Sequence, residues 1–381
     1  MMRTWSIVAA SFSLTALTYG LGRFAYGLLL PAIQGDLHKS ASVAGLVAGT
    51  SFASYCVGIV LALVYVNRVE DRVLAGSAGV AATVGLAMIA MSWSGWNIAL
   101  ARALCGLSTG LTSPPLAAIV GRSFSDAGQA KANGIINSGT AAGIILSGLA
   151  ALMLSTSWRE LYAAFAVIGG IITFWLWIAV PNRGRTRDEY PLRTKELKRP
   201  GLPALIASAL LVGVASTAIW TFGANIMRAD LAFSDGEVST AWVLLGTFGF
   251  AGIKTGALTL RFGLRTVHRA AVASMALAIV CLAIADLHAL LAYSAMGIFG
   301  ASYIIATGSS LLWGIGLYGA HPALGLGIPF VVLAIGQTLG APVLGAVWES
   351  AGTVPTLLLS AVVMGSATFF SINPDKNREK G

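Results

Sequence analysis

Residues 181–201 read PNRGRTRDEYPLRTKELKRPG, the longest polar run in the chain. Before it lies GIITFWLWIAV (170–180) and after it LPALIASALLVGVASTAIW (202–220), neither with a single charge. A basic, proline-containing strip between two apolar runs reads as a loop at a membrane surface joining two spanning helices. The remainder of the 381 residues agrees. Hydrophobic residues make up 56%, charged residues only 10%, and mean hydropathy is +0.80. A soluble domain carries about 25% charge, so a soluble enzyme, a disordered chain and a nucleic-acid binder are all excluded by composition. Cys56, Cys105 and Cys281 all sit in apolar stretches. Their odd number and spacing give neither a disulfide framework nor a metal site.

A spanning helix needs about 20 mostly apolar residues. Outward from the central strip, such runs fall near 5–32, 42–66, 74–94, 97–121, 133–154 and 160–181 on one side. On the other they fall near 202–226, 238–260, 268–286, 290–312, 324–347 and 354–373. The first follows Met1-Met2-Arg3 but is too long for a signal-peptide core, so it reads as a span. The expected fold class is an all-α membrane protein with twelve transmembrane helices. Its expected division is a six-helix bundle over 1–181, a cytoplasmic linker over 182–201, and a second six-helix bundle over 202–381.

Orientation comes from the basic residues. With both termini cytoplasmic, 18 of the 24 Lys and Arg fall in cytoplasmic segments. Only Lys39, Arg159 and Arg228 face outward, and Arg23, Arg102 and Lys254 lie within spans. Such a bias marks the cytoplasmic side and accounts for the net charge of +9 without a nucleic-acid partner. The expected location is the cytoplasmic membrane.

The two halves echo one another. AYGLLLPAIQGDL (25–37) and IWTFGANIMRADL (219–231) both end in Asp-Leu, and Gly49-Thr50 matches Gly246-Thr247. Repeated six-helix units are a transporter design with the site between them near the midplane. Arg102-Ala-Leu-Cys-Gly106-Leu-Ser-Thr-Gly110 resembles the RxxxGxxxG segment of the major facilitator superfamily. Gly256-Ala-Leu-Thr-Leu-Arg261-Phe-Gly263-Leu-Arg265 resembles that family's signature loop, with Leu260 where the acid belongs. The first-half counterpart, Asn67-Arg68-Val-Glu70-Asp71-Arg72, is more degenerate, and Trp158-Arg159-Glu160 is also similar to a family segment. The Gly-Pro pair of many drug antiporters has no match in Gly139-Thr-Ala-Ala-Gly143. The resemblance implies secondary transport by alternating access, a monomer, and a cavity lined by the first, fourth, seventh and tenth helices.

A charge inside a bilayer costs about 3 kcal/mol or more, so Arg23, Arg102 and Lys254 are functional candidates. Tyr19 and Tyr26 share a helix face with Arg23. Arg23 and Arg102 fall at similar depth and suit a carboxylate, phosphate or sulfate group. Their alternatives are snorkelling for Arg23 and packing or gating for Arg102. Lys254 lies within snorkelling reach of the cytoplasm, and with Arg102, Arg261 and Gly263 it forms the gating set. Polar and aromatic side chains at helical spacing add Trp220, Asn225, Tyr303, Thr307, Gln337 and Asn137 as substrate contacts, with interhelical bonding as the other reading. Trp93, Trp96 and Trp158 read as interfacial belt residues. The acids and the histidines all fall in loops or near span ends, and no serine is arranged with a histidine as a nucleophile pair. No cofactor is expected. The sequence therefore predicts a carrier of a small organic anion. The alternatives are an exporter of apolar or cationic drugs, and a membrane enzyme or receptor.

Overall fold

The computed structural model describes residues 2–66, 68–124, 126–154, 157–181, 199–318 and 322–371. The linker lies outside the described residues except at 199–201. The described residues form helical rods. The first, α1, runs through Met2–Thr15, a π-helical stretch Ala16–Phe24, and Ala25–Leu37. Then come α2 (Ala41–Tyr65), α3 (Asp71–Ala90), α4 (Gly95–Ser123), α5 (Asp126–Met153) and α6 (Trp158–Ala179). Beyond the linker lie α7 (Leu202–Ala229), α8 (Asp235–Phe262), α9 (Leu264–Ala283), α10 (Ala289–Leu317), α11 (Pro322–Ala351) and α12 (Thr353–Phe369). Among the described residues, ten helices are long and apolar enough to cross a membrane, and Thr353–Phe369 is a shorter apolar one. Without water, only a structure that satisfies its own backbone bonds can span lipid, which is why these apolar runs are helical.

Several rods begin, at the end opposite the linker, with a side-chain cap. Ser40 accepts from the Val43 amide, Ser94 from Asn97, and His288 from Leu290. Ser157 with Glu160 and Ser234 with Glu237 form capping boxes, each satisfying N–H groups that the helix itself leaves free. The caps obey the internal repeat: Ser40 to Ser234 and Ser94 to His288 are both shifts of 194 residues. The same shift carries the Asp36–Arg159 contact onto Asp230–Thr353. It also carries Gly106, pressed on the Ser51 carbonyl of α2, onto Gly300, pressed on the Leu245 carbonyl of α8. A Cβ at either glycine would collide with backbone, so these close crossings require glycine.

The first helix breaks the repeat. Gly139 of α5 packs on the Phe12 carbonyl, whereas Gly336 of α11, 197 residues on, packs on the Leu210 carbonyl, 198 residues on from Phe12. Between residues 12 and 36, α1 therefore holds four more residues than α7 does. The nine-residue π-helical stretch Ala16–Phe24 lies within that interval, and Arg23 is its only charged residue. Such local widenings of a helix concentrate at functional sites. In α7 the corresponding region has an interruption instead, at Thr221-Phe222, between Leu202–Trp220 and Gly223–Ala229.

Candidate functional site

Arg23 sits where the two halves meet and is 4% exposed. Its Nη2 donates to Oε1 of Gln337 on α11. Its guanidinium carbon lies 4.2 Å from the ring centre of Tyr55, 5.1 Å from Phe52 and 5.3 Å from Phe24. Three π faces thus take part of the role of a counter-ion. Among the described residues no carboxylate lies within ion-pair distance: the acids that pair do so elsewhere, in Arg122–Asp71, Arg159–Asp36 and Arg228–Asp235. Among the described residues the Nε–H of Arg23 has no hydrogen-bond partner.

Gln337 is fully buried and works in both directions. Its Oε1 accepts from Arg23, and its Nε2 donates to Ser216 Oγ at 3.3 Å and Tyr303 Oη at 3.4 Å. One amide thereby ties α1 to α11, α7 and α10. Beside it stands an aromatic wall. Trp220 stacks on Phe24 with centroids 4.0 Å apart. It also meets Tyr303 at 5.0 Å, Phe299 at 5.6 Å and Trp242 at 6.1 Å, edge to face.

The other candidates spread out from this centre. Tyr19 bonds Ser113 of α4 at 2.8 Å and Tyr55 at 3.4 Å, hydroxyl to hydroxyl. Arg102 is 1% exposed and turned into its own half. Its Nη1 donates to the Gly22 carbonyl at 2.6 Å, and its guanidinium lies 4.4 Å from the Tyr26 ring. Thr307 returns its hydroxyl to the Tyr303 carbonyl at 2.9 Å. Asn137 and Lys254 are exposed on α5 and in a 3₁₀ turn of α8. Arg261 is exposed against Phe262, and Gly263 turns the α8–α9 corner at φ 79°.

Asn225 lies nearer the end opposite the linker. Its Nδ2 donates at 2.5 Å to Gln34 Oε1 of the other half. Farther out, the Glu349 carboxylate at the end of α11 accepts from the amide and hydroxyl of Ser42, in the first turn of α2. These two bridges and the Phe24–Trp220 stack all join one half to the other. A narrow cleft outside them is lined by Tyr26, Leu30, Gln34, Lys39, Val47 and Ile98.

Some expectations need correction. Trp158 is not an exposed belt residue like Trp96, which is 87% exposed; it is 5% exposed and donates its indole N–H to Asp36. His268 does lie near a span end, in the second turn of α9, but not in water. It is buried, bonded to Ser208 Oγ at 2.8 Å through Nε2 and to Ser309 Oγ at 2.9 Å through Nδ1. A serine does meet a histidine there, but both ring nitrogens are engaged by hydroxyls and the cluster is sealed. Tyr55 and Phe52 were missed as site residues. Their signal was an aromatic pair three apart in a helix otherwise made of small residues, Ala48 to Gly58.

A family model described as the Major Facilitator Superfamily matches residues 12–323. The solved structure of the nucleoside transporter NupG superposes with a TM-score of 0.75 at 15% identity, covering 97% of this chain and 98% of that one. Its D323A mutant gives a TM-score of 0.77 at 15% identity, covering 95% and 98%. No curated protein sequence matches the chain.

Proposed function

Because the chain belongs to the major facilitator superfamily and is a secondary transporter rather than an enzyme, we propose that it carries a small organic anion of the carboxylate type. The reading places twelve spans in the cytoplasmic membrane, with both termini and the linker on the cytoplasmic side. The two halves rock about the Arg23 site, opening it first to one side and then to the other. The linker end is the cytoplasmic one because the basic residues gather there. In the described arrangement the outer approach is closed by Gln34–Asn225 and Ser42–Glu349.

The observation that carries the reading is a buried guanidinium with no carboxylate of the described residues beside it. A cation in the membrane interior is retained against a cost of several kcal/mol when it serves an ion pathway or a ligand. A carboxylate supplies the missing charge and fits the guanidinium fork. Phe24, Trp220 and Tyr303 give the rest of the cargo an apolar, ring-shaped surface. Tyr19 and Gln337 complete the polar side. Arg102 holds the widened turn of α1 in place through Gly22. Lys254, Arg261 and Gly263 belong to the cytoplasmic gate, at and beside the α8–α9 corner. Asn137 faces the cytoplasmic approach.

One second reading has an observation behind it. The structural neighbours are titled as nucleoside transporters, and a nucleobase would stack on the same aromatic wall. It would leave Arg23 without a charged partner. A cationic drug is disfavoured, because the described site offers it aromatic faces but no carboxylate. Counterflow of labelled benzoate in proteoliposomes is the test. Arg23→Gln abolishes it if the cargo is an anion, whereas counterflow of a nucleoside that survives Arg23→Gln establishes the other reading.

A further inference from the structure

A guanidinium presents a carboxylate with two parallel N–H groups, and on the side edge of arginine these are Nε–H and Nη2–H. In Arg23 that edge is half used. Nη2 is given to the Gln337 amide oxygen, while Nε–H has no partner among the described residues. Gln337 can offer only one oxygen, because its other arm is a donor engaged with Ser216 and Tyr303. A carboxylate has two oxygens at the spacing of the fork, and it brings the charge that the site lacks.

We infer that Gln337 is a built-in competitor for the cargo: its amide oxygen holds, in the empty carrier, half of the guanidinium edge that the substrate carboxylate takes over. The inference rests on the anion reading of the Arg23 site. It assigns Gln337 a positioning and specificity role beyond lining the cavity. Displacement swaps one charge-assisted bond for two. It also cuts the direct tie between α1 of one half and α11 of the other. The Gln337 Nε2 stays with Ser216 and Tyr303, so the released amide remains on the α7–α10 side. Binding and loosening of the two halves at the midplane are then a single event. The competitor also sets a threshold: a ligand with one neutral acceptor merely replaces Gln337 like for like and gains nothing, whereas a carboxylate gains the second bond.

The test is equilibrium binding of radiolabelled benzoate, phenylacetate and nicotinate to the purified protein, wild type against Arg23→Gln, Gln337→Leu and Gln337→Glu. Gln337→Leu removes the competing oxygen while keeping the volume, and should bind the best of these acids about tenfold tighter. Gln337→Glu places a permanent carboxylate on the guanidinium. It should weaken binding by about tenfold or more while raising the thermal stability of the empty protein. A residue needed only for packing would lose stability and affinity together in both variants. Arg23-dependent binding that is unchanged or weaker in Gln337→Leu, or unchanged in Gln337→Glu, overturns the inference and leaves the anion reading standing. If Gln337→Leu does not fold, Gln337→Glu decides alone. Absence of Arg23-dependent binding of any of the three acids overturns the anion reading and the competitor with it.

Discussion

Replacing Arg102 with glutamine separates scaffold from ligand. The sequence places Arg102 at the depth of Arg23 and so offers it as a second anion contact. In the structure its Nη1 is committed to the Gly22 carbonyl at 2.6 Å and its face to the Tyr26 ring at 4.4 Å. A hydrogen bond from a charged donor contributes about 1.5–3 kcal/mol, and a desolvated cation–π contact about 2 kcal/mol. Removing the buried charge also relieves part of its desolvation. Arg102→Gln is therefore expected to destabilise the protein by about 3 kcal/mol, read by equilibrium unfolding in mixed detergent with tryptophan fluorescence. Its affinity for an aromatic carboxylate should stay within about threefold of wild type, a change under 1 kcal/mol. The parallel Arg23→Gln should lose about 10- to 150-fold, the equivalent of one hydrogen bond from a charged group. An Arg102→Gln protein as stable as wild type but as deficient in binding as Arg23→Gln would refute the scaffold assignment.

Three further outcomes rest on the same geometry. Arg159, with the Trp158 indole, holds the Asp36 carboxyl below the usual aspartate range. A depressed folded value means the contribution is complete above the unfolded value of about 3.9 and fades as pH falls through the folded one. Protection factors of the amides at the start of α6, taken against intrinsic exchange at each pH, should thus be flat from neutral pH down to about pH 5 and fall only in stronger acid, and Asp36→Asn should abolish that fall; a transition centred near neutrality would contradict the assignment. Combining Glu349→Gln with Asn225→Ala removes both outer bridges. It should speed labelling of Ser216→Cys, beside Gln337 and inside the bridges, by an impermeant maleimide several-fold, and an unchanged rate would show that the bridges do not hold the closed form. Gly106→Val and Gly300→Val should each cost about 3 kcal/mol or fail to yield folded protein, since both glycines press on a carbonyl of the neighbouring helix; normal yields from either would contradict the close crossing.

The fold was legible because lipid imposes a simple rule: long apolar runs, basic loops on one side, a polar strip between the halves. The repeat was legible at Asp36 and Asp230 because both sit at helix ends, where polar residues stand out against apolar sequence. The four-residue insertion in α1 was not, since a widened helical turn leaves no pattern in a run of apolar and small residues. Arg23 declared itself as a charge in an apolar stretch. Its partner did not, because Gln337 lies 314 residues away and a lone glutamine in a span has many possible uses. Depth in the membrane was readable for Arg102 and His268, but direction was not. Arg102 faces its own half, and His268 lies buried between two serines. Asn225 bonds Gln34 from the short helix Gly223–Ala229, beyond an interruption in α7 that helical spacing alone does not reveal.

The central claim is that Arg23 carries a charge the cargo must answer. It is tested most directly by ligand-induced thermal stabilisation of purified wild type and Arg23→Gln against matched carboxylates and nucleosides. The account predicts that an aromatic carboxylate stabilises the wild type, fails to stabilise Arg23→Gln, and outperforms its own amide or methyl ester. Equal stabilisation of both proteins by an uncharged nucleoside, with no response to any carboxylate, would contradict it.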